Sequence, residues 1–148
     1  MGRLITNRGL YNRNQRTSMN MRLIAYWITT ALTAFVFLLG GAFDVARPAS
    51  VVEAMNALGY PAYVALILGV WKILGGVAVL APRLPLLKEW AYAGMVFDLT
   101  GASASHAAAG HPAAEIATPL IILGIVVASW ALRPESRKVR EAFPKAFV

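Results

Sequence analysis

The chain has 148 residues, 58% of them apolar, with 14% charged, no cysteine and a formal net charge of +7. A soluble domain is less apolar and carries about 25% charged residues, so this is membrane composition. The absence of cysteine excludes thiol redox chemistry, disulfides and thiolate metal sites. The positive charge lies next to apolar runs, which points to the anionic lipid surface and away from nucleic acid.

Residues 1–20 carry four arginines and no acid. They read as a flexible basic cytoplasmic tail, with Met19 and Met21 as alternative starts to Met1. No signal peptide is expected, because the apolar run that follows is too long and lacks a small-residue cleavage site.

The first span is expected over 22–43, long enough for roughly 30 Å of hydrocarbon. Tyr26, Thr30, Thr33, Phe37, Gly40 and Asp44 recur every three to four residues. They form one mildly polar stripe that should face other helices. Thr30 and Thr33 have an equal alternative in bonding their own helix. Pro48 suits a helix start and Gly59 a helix end, and Val51, Val52, Met55 and Leu58 share a side. A short amphipathic helix on the membrane face follows from this, with a solvated loop as its rival.

The second span is expected over 61–81. Gly69, Lys72, Gly75 and Gly76 share one of its faces, where small residues let helices approach. After a turn holding Pro82 and Pro85, a third span is expected over 88–108, with Gly94, Asp98, Gly101, Ala102 and Ser105 as its small polar face. A fourth span is expected over 113–132, with Glu115 in its first turn, where a carboxylate suits the helix dipole. A basic cytoplasmic tail fills 134–148. Twelve lysines and arginines fall on the side of the termini and Arg47 alone on the other. The positive-inside bias puts both termini in the cytoplasm.

Lys72 and Asp98 each lie thirteen residues from Pro85. At 1.5 Å per residue both sit roughly 20 Å from the turn, so they share a depth and can pair. Charges at such depth face a bundle interior or cavity and take a partner. Two readings stand level: a polar centre that binds a ligand or passes a proton, and a buried ion pair that docks two helices.

Asp44, His106 and Glu115 are expected to gather at the outer end as a polar mouth above that pair. Two imidazoles and a carboxylate suit zinc. His106, His111 and Glu115 match no strict motif, however, and Pro112 interrupts them. They read instead as groups that mark where helices leave the bilayer, and no metal site is expected. The chain contains no G-x-G-x-x-G, Walker or G-x-S-x-G motif, and its two histidines do not suit haem.

The segments YWITTALTAFVFLLGGAFDVARP, LGYPAYVALILGVWKILGGVAVLAP, KEWAYAGMVFDLTGASASH and SWALRP, in that order and spacing, resemble the DoxX-like family of small four-helix membrane proteins. The resemblance covers about Met21 to Arg137, with Gly59, Pro61, Lys72, Gly76, Lys88, Asp98, Gly101 and His106 at the pattern positions. It implies an all-α, integral membrane four-helix bundle over 21–133 in a bacterial inner membrane. It associates the chain loosely with quinone-linked sulfur oxidation and membrane redox complexes. The first functional expectation is therefore a redox-accessory subunit, with a membrane redox partner, that binds a quinone or other lipid-like molecule at Lys72, Asp98, His106 and Glu115. The second is a structural or partner-assisting protein with no ligand of its own. The third is a small oligomeric transporter, which needs a polar path that the inner halves of the spans scarcely offer.

Overall fold

The computed structural model describes residues 2–139, with side chains from residue 19 onward. Among the described residues there are five α-helices, one 3-10 turn over Glu135–Arg137 and no strand. They are α1 (Gly2–Ala46), α2 (Ala49–Ala57), α3 (Tyr63–Leu80), α4 (Pro85–Ala108) and α5 (Ala113–Ala131). The helical backbone of α1 extends through the segment read as a flexible tail. The side chains of residues 1–18 lie outside the described residues, as does 140–148 of the basic tail read over 134–148.

The sequence explains where these helices stop. Pro48 cannot continue α1, and Arg47 turns out of it with φ 49°. α2 and α4 both end in the same device. Gly59 and Gly110 take φ of 79° and 72°. The residue after each glycine bonds back across the turn, Tyr60 N–H to the Met55 carbonyl and His111 N–H to the His106 carbonyl. This is the Schellman arrangement, in which an αL glycine satisfies the carbonyls a helix end leaves open. Pro85 occupies the first position of α4, where a missing N–H costs nothing.

α1 packs on α3 and α5, and α4 packs on the same two, so the four long helices form a ring. Tyr26, Thr30, Thr33 and Phe37 of the α1 stripe are buried, while Phe35 and Leu39 on the opposite side are exposed. Three helices are long and apolar enough to cross a membrane: Met19–Ala46, Tyr63–Leu80 and Ala113–Ala131. α4 is long enough at 24 residues. It falls outside that set because Lys88, Glu89, Asp98 and His106 interrupt its apolar run.

Two expectations about packing change. The buried residues of α4 are Lys88, Tyr92, Met95, Leu99 and Ser103, not the Gly94–Asp98–Gly101 face. The large side chains remove more surface from solvent and lipid, so they take the core and leave the small face at its edge. Gly69 and Gly76 do mark close helix contacts. A Cβ on Gly69 would lie 2.8 Å from the Gly41 carbonyl oxygen, and one on Gly76 would lie 2.9 Å from Leu38 Cγ. At Gly75 it would meet Met95 at 3.3 Å, whereas at Gly94 and Gly101 it would meet nothing within 4 Å.

Candidate functional site

The close approach of α1 and α3 decides the polar centre. Gly41 and Gly69 put the two backbones in contact, and α1 continues to Ala46 before Pro48 ends it. Asp44 thus sits in the last turn of α1, one turn from Gly41 and beside α3. Lys72 Nζ lies 2.8 Å from Asp44 Oδ2 and 3.9 Å from Asp98 Oδ2. The expected Lys72–Asp98 contact exists, but it is the longer of two. Asp44, expected at the mouth with His106 and Glu115, belongs to the lysine instead. One ammonium is therefore shared by two carboxylates, and all three side chains are at most one-quarter exposed.

This triad ends a groove of about 580 Å³ between α3 and α4. Lys72 and Asp98 are its charged lining residues; Phe37, Leu74, Leu87, Met95 and Phe97 are among the rest. Gly75 and Gly94 contribute the absence of side chains that leaves the groove open. Trp71, Trp90 and Phe97 stand at its rim and are about 70% exposed or more (69%, 72% and 75%). So the arrangement is an apolar slot with polar chemistry at one end.

At the opposite end of the helices lies a second polar layer, most of which the sequence reading missed. Ser129 Oγ is 2.7 Å from both Thr30 Oγ1 and Tyr92 OH, joining α1, α4 and α5 through three buried hydroxyls. Lys88, read as the first residue of the third span, is 1% exposed. Its ammonium donates to the carbonyls of Ala78 and Val79 at 3.0 and 2.5 Å, capping the end of α3. Buried Arg133 pairs with Glu89 at 2.8 Å and lies over the Tyr92 and Trp130 rings. Arg137 reaches the Tyr26 hydroxyl at 3.2 Å and covers Trp27. The available signal was positional: a lysine in the first turn of an apolar run, next to the end of the preceding helix.

His106, His111 and Glu115 form a third group, at the α4–α5 turn. The Nδ1 atoms of His106 and His111 are 2.8 Å apart. Glu115 Oε2 is 2.8 Å from His111 Nδ1 and 3.4 Å from His106 Nδ1. Tyr60 OH bonds Ser105 Oγ at 2.8 Å, tying the end of α2 to the same end of α4.

The DoxX-like family model matches residues 28–129. The chain belongs to the DoxX-like family. The match starts within α1, between Tyr26 and Thr30, and closes at Ser129, so the triad, the groove, the histidine turn and the hydroxyl layer fall within it, while Arg133 and Arg137 fall outside. This DoxX-like protein has no match among curated proteins. Among solved structures nothing matches it either.

Proposed function

We propose that this DoxX-like protein binds a lipid-soluble molecule with a polar head, a quinone being the leading candidate, in the groove between α3 and α4. The observation that carries the reading is the groove itself, apolar along its length and ending on Lys72 and Asp98. A tail fits against Leu74, Met95 and Phe97. Lys72 donates a hydrogen bond to a ligand carbonyl. A carboxylate not fully used by the lysine accepts one from a ligand hydroxyl, as in the reduced form of a quinone. In this reading the protein is a redox-accessory subunit in a bacterial inner membrane. α4 is its fourth crossing, and both termini are cytoplasmic, as the basic residues near the inner layer favour.

The test is native mass spectrometry with organic extraction of the protein purified in mild detergent. A stoichiometric quinone or lipid-like molecule is expected in the wild type. It should be absent from Lys72→Met, which removes the donor, and from Gly94→Leu, which fills the groove without touching the triad. A ligand retained by both variants, or a wild type that is empty, overturns the reading.

A docking role without a ligand is the second reading, and the 2.8 Å Asp44–Lys72 contact beside the Gly41–Gly69 approach favours it. A transport path is the reading least supported. Ala34, Phe37, Val79, Tyr92, Met95, Leu99 and Val126 pack into one apolar core cluster among the described residues.

A further inference from the structure

We propose that His106, His111 and Glu115 form a binding site for a divalent transition-metal ion, with zinc the ion that the ligand set fits best. The site is independent of the groove. It is built within ten residues by one helix–turn–helix. Gly110 closes α4 by the Schellman arrangement, whose wider-spanning hydrogen bond runs from His111 N–H to the His106 carbonyl at 3.0 Å. That bond is what turns His111 back beside His106. Pro112 then starts α5, and Glu115 lies one turn beyond His111 on the same side. Ser103 Oγ donates to the Ile116 carbonyl at 2.8 Å, so the two helices are pinned three residues before His106 and one after Glu115.

The distances argue for an ion, because a proton serves them only as one hydrogen shared among three atoms. A ring nitrogen of imidazole offers one in-plane position, which holds either a hydrogen or a lone pair. His111 Nδ1 is 2.8 Å from both His106 Nδ1 and Glu115 Oε2. With a hydrogen there, it donates to the carboxylate and reaches a lone pair on His106 only by sharing that hydrogen in a bent three-centre bond. With a lone pair there, it accepts from His106 and faces the carboxylate with nothing to give. A cation among the three atoms serves all of them at once.

The triangle is also the right size. Bonds of about 2.0–2.1 Å in a tetrahedral zinc site place neighbouring ligand atoms about 3.3 Å apart. The three edges here are 2.8, 2.8 and 3.4 Å. Opening two of them by about half an ångström completes the coordination. Two imidazoles and one carboxylate suit zinc among the biological ions, and three protein ligands leave a fourth position for water or another donor. Glu115 is half exposed, so that position opens to the surface.

The experiment uses the full chain in detergent, purified without a polyhistidine tag, stripped with chelator and titrated with zinc chloride by calorimetry. Metal content is measured after gel filtration. His106 and His111 are the only histidines in the chain, and there is no cysteine, so the background is low. One zinc per chain is expected, with binding weakened at least about tenfold in each of His111→Gln and Glu115→Gln, a loss already seen when groups merely supporting a ligand are removed. Zinc uptake by the wild type no greater than by the His106→Gln/His111→Gln double variant overturns the proposal. Should the variants fail to fold, ring-nitrogen NMR of the wild type decides: zinc must shift both Nδ1 resonances, and unchanged resonances at saturating zinc overturn it.

Discussion

Lys72 donates to Asp44 across the α1–α3 contact at 2.8 Å, while Asp98 on α4 stands 3.9 Å away. The lysine thus belongs first to the end of α1 and second to the groove. Removing one member of a buried pair leaves the other charge uncompensated, which costs about 3 kcal/mol or more. Lys72→Met strands two carboxylates and should lower thermal stability by up to that order, while Asp44→Leu leaves Asp98 to the lysine and should cost less. The double variant still leaves Asp98 without its cation, so it should recover only part of the Lys72→Met loss, and Asp98→Asn should cost less than Lys72→Met. Melting curves in one detergent measure all four.

Lys88 is a helix cap in place of a surface charge. Hydrogen bonds to a charged group are each worth about 1.5–3 kcal/mol, and Lys88 makes two to α3. Lys88→Met should destabilise the fold by about 3 kcal/mol. Arg83→Met in the neighbouring turn, where the side chain is exposed, should be close to neutral. Denaturant titration of the two variants side by side separates the cap from a general effect of charge.

Ser129 holds two hydroxyls from two other helices. Ser129→Ala leaves Thr30 and Tyr92 without that partner, a loss of about 1–3 kcal/mol. Thr29→Ala should change little, because Thr29 bonds only its own helix, at the Ala25 and Tyr26 carbonyls. If stability falls equally in both, the layer across α1, α4 and α5 contributes nothing of its own.

The glycines divide by what faces them. Gly69→Ala places a methyl 2.8 Å from the Gly41 carbonyl oxygen and from Asp44 Cβ, so α1 and α3 must separate and the Lys72–Asp44 bond must weaken. Gly101→Ala meets no atom and should stabilise α4 by up to about 1 kcal/mol through helix propensity. Expression level and melting temperature of the two variants should therefore move in opposite directions.

The sequence by itself determined the elements. Apolar runs of spanning length, prolines at helix starts and glycines at helix ends placed α2, α3, α4, α5 and the end of α1 within a few residues, while the start of α1 lies at Gly2 and not near residue 22. The 3.6-residue stripe identified the buried side of α1 correctly from Tyr26 to Phe37. It also singled out Lys72 and Asp98, because a charge inside an apolar run is conspicuous whatever surrounds it. Tertiary structure decided the partners. Which carboxylate the lysine meets depends on how closely α1 and α3 approach, and that is set by Gly41 facing Gly69 across two helices. Which side of α4 is buried depends on the combined volume of Tyr92, Met95 and Leu99 against their neighbours, which no single-helix pattern contains. The histidine turn lies between these cases. Its residues are close in the chain, but a left-handed glycine and a helix restart convert a spacing that matches no linear motif into three ligand atoms within 3.4 Å of one another. Periodicity reports one helix against an average environment. Contacts between helices depend on pairs of faces, and those exist only once the chain has packed.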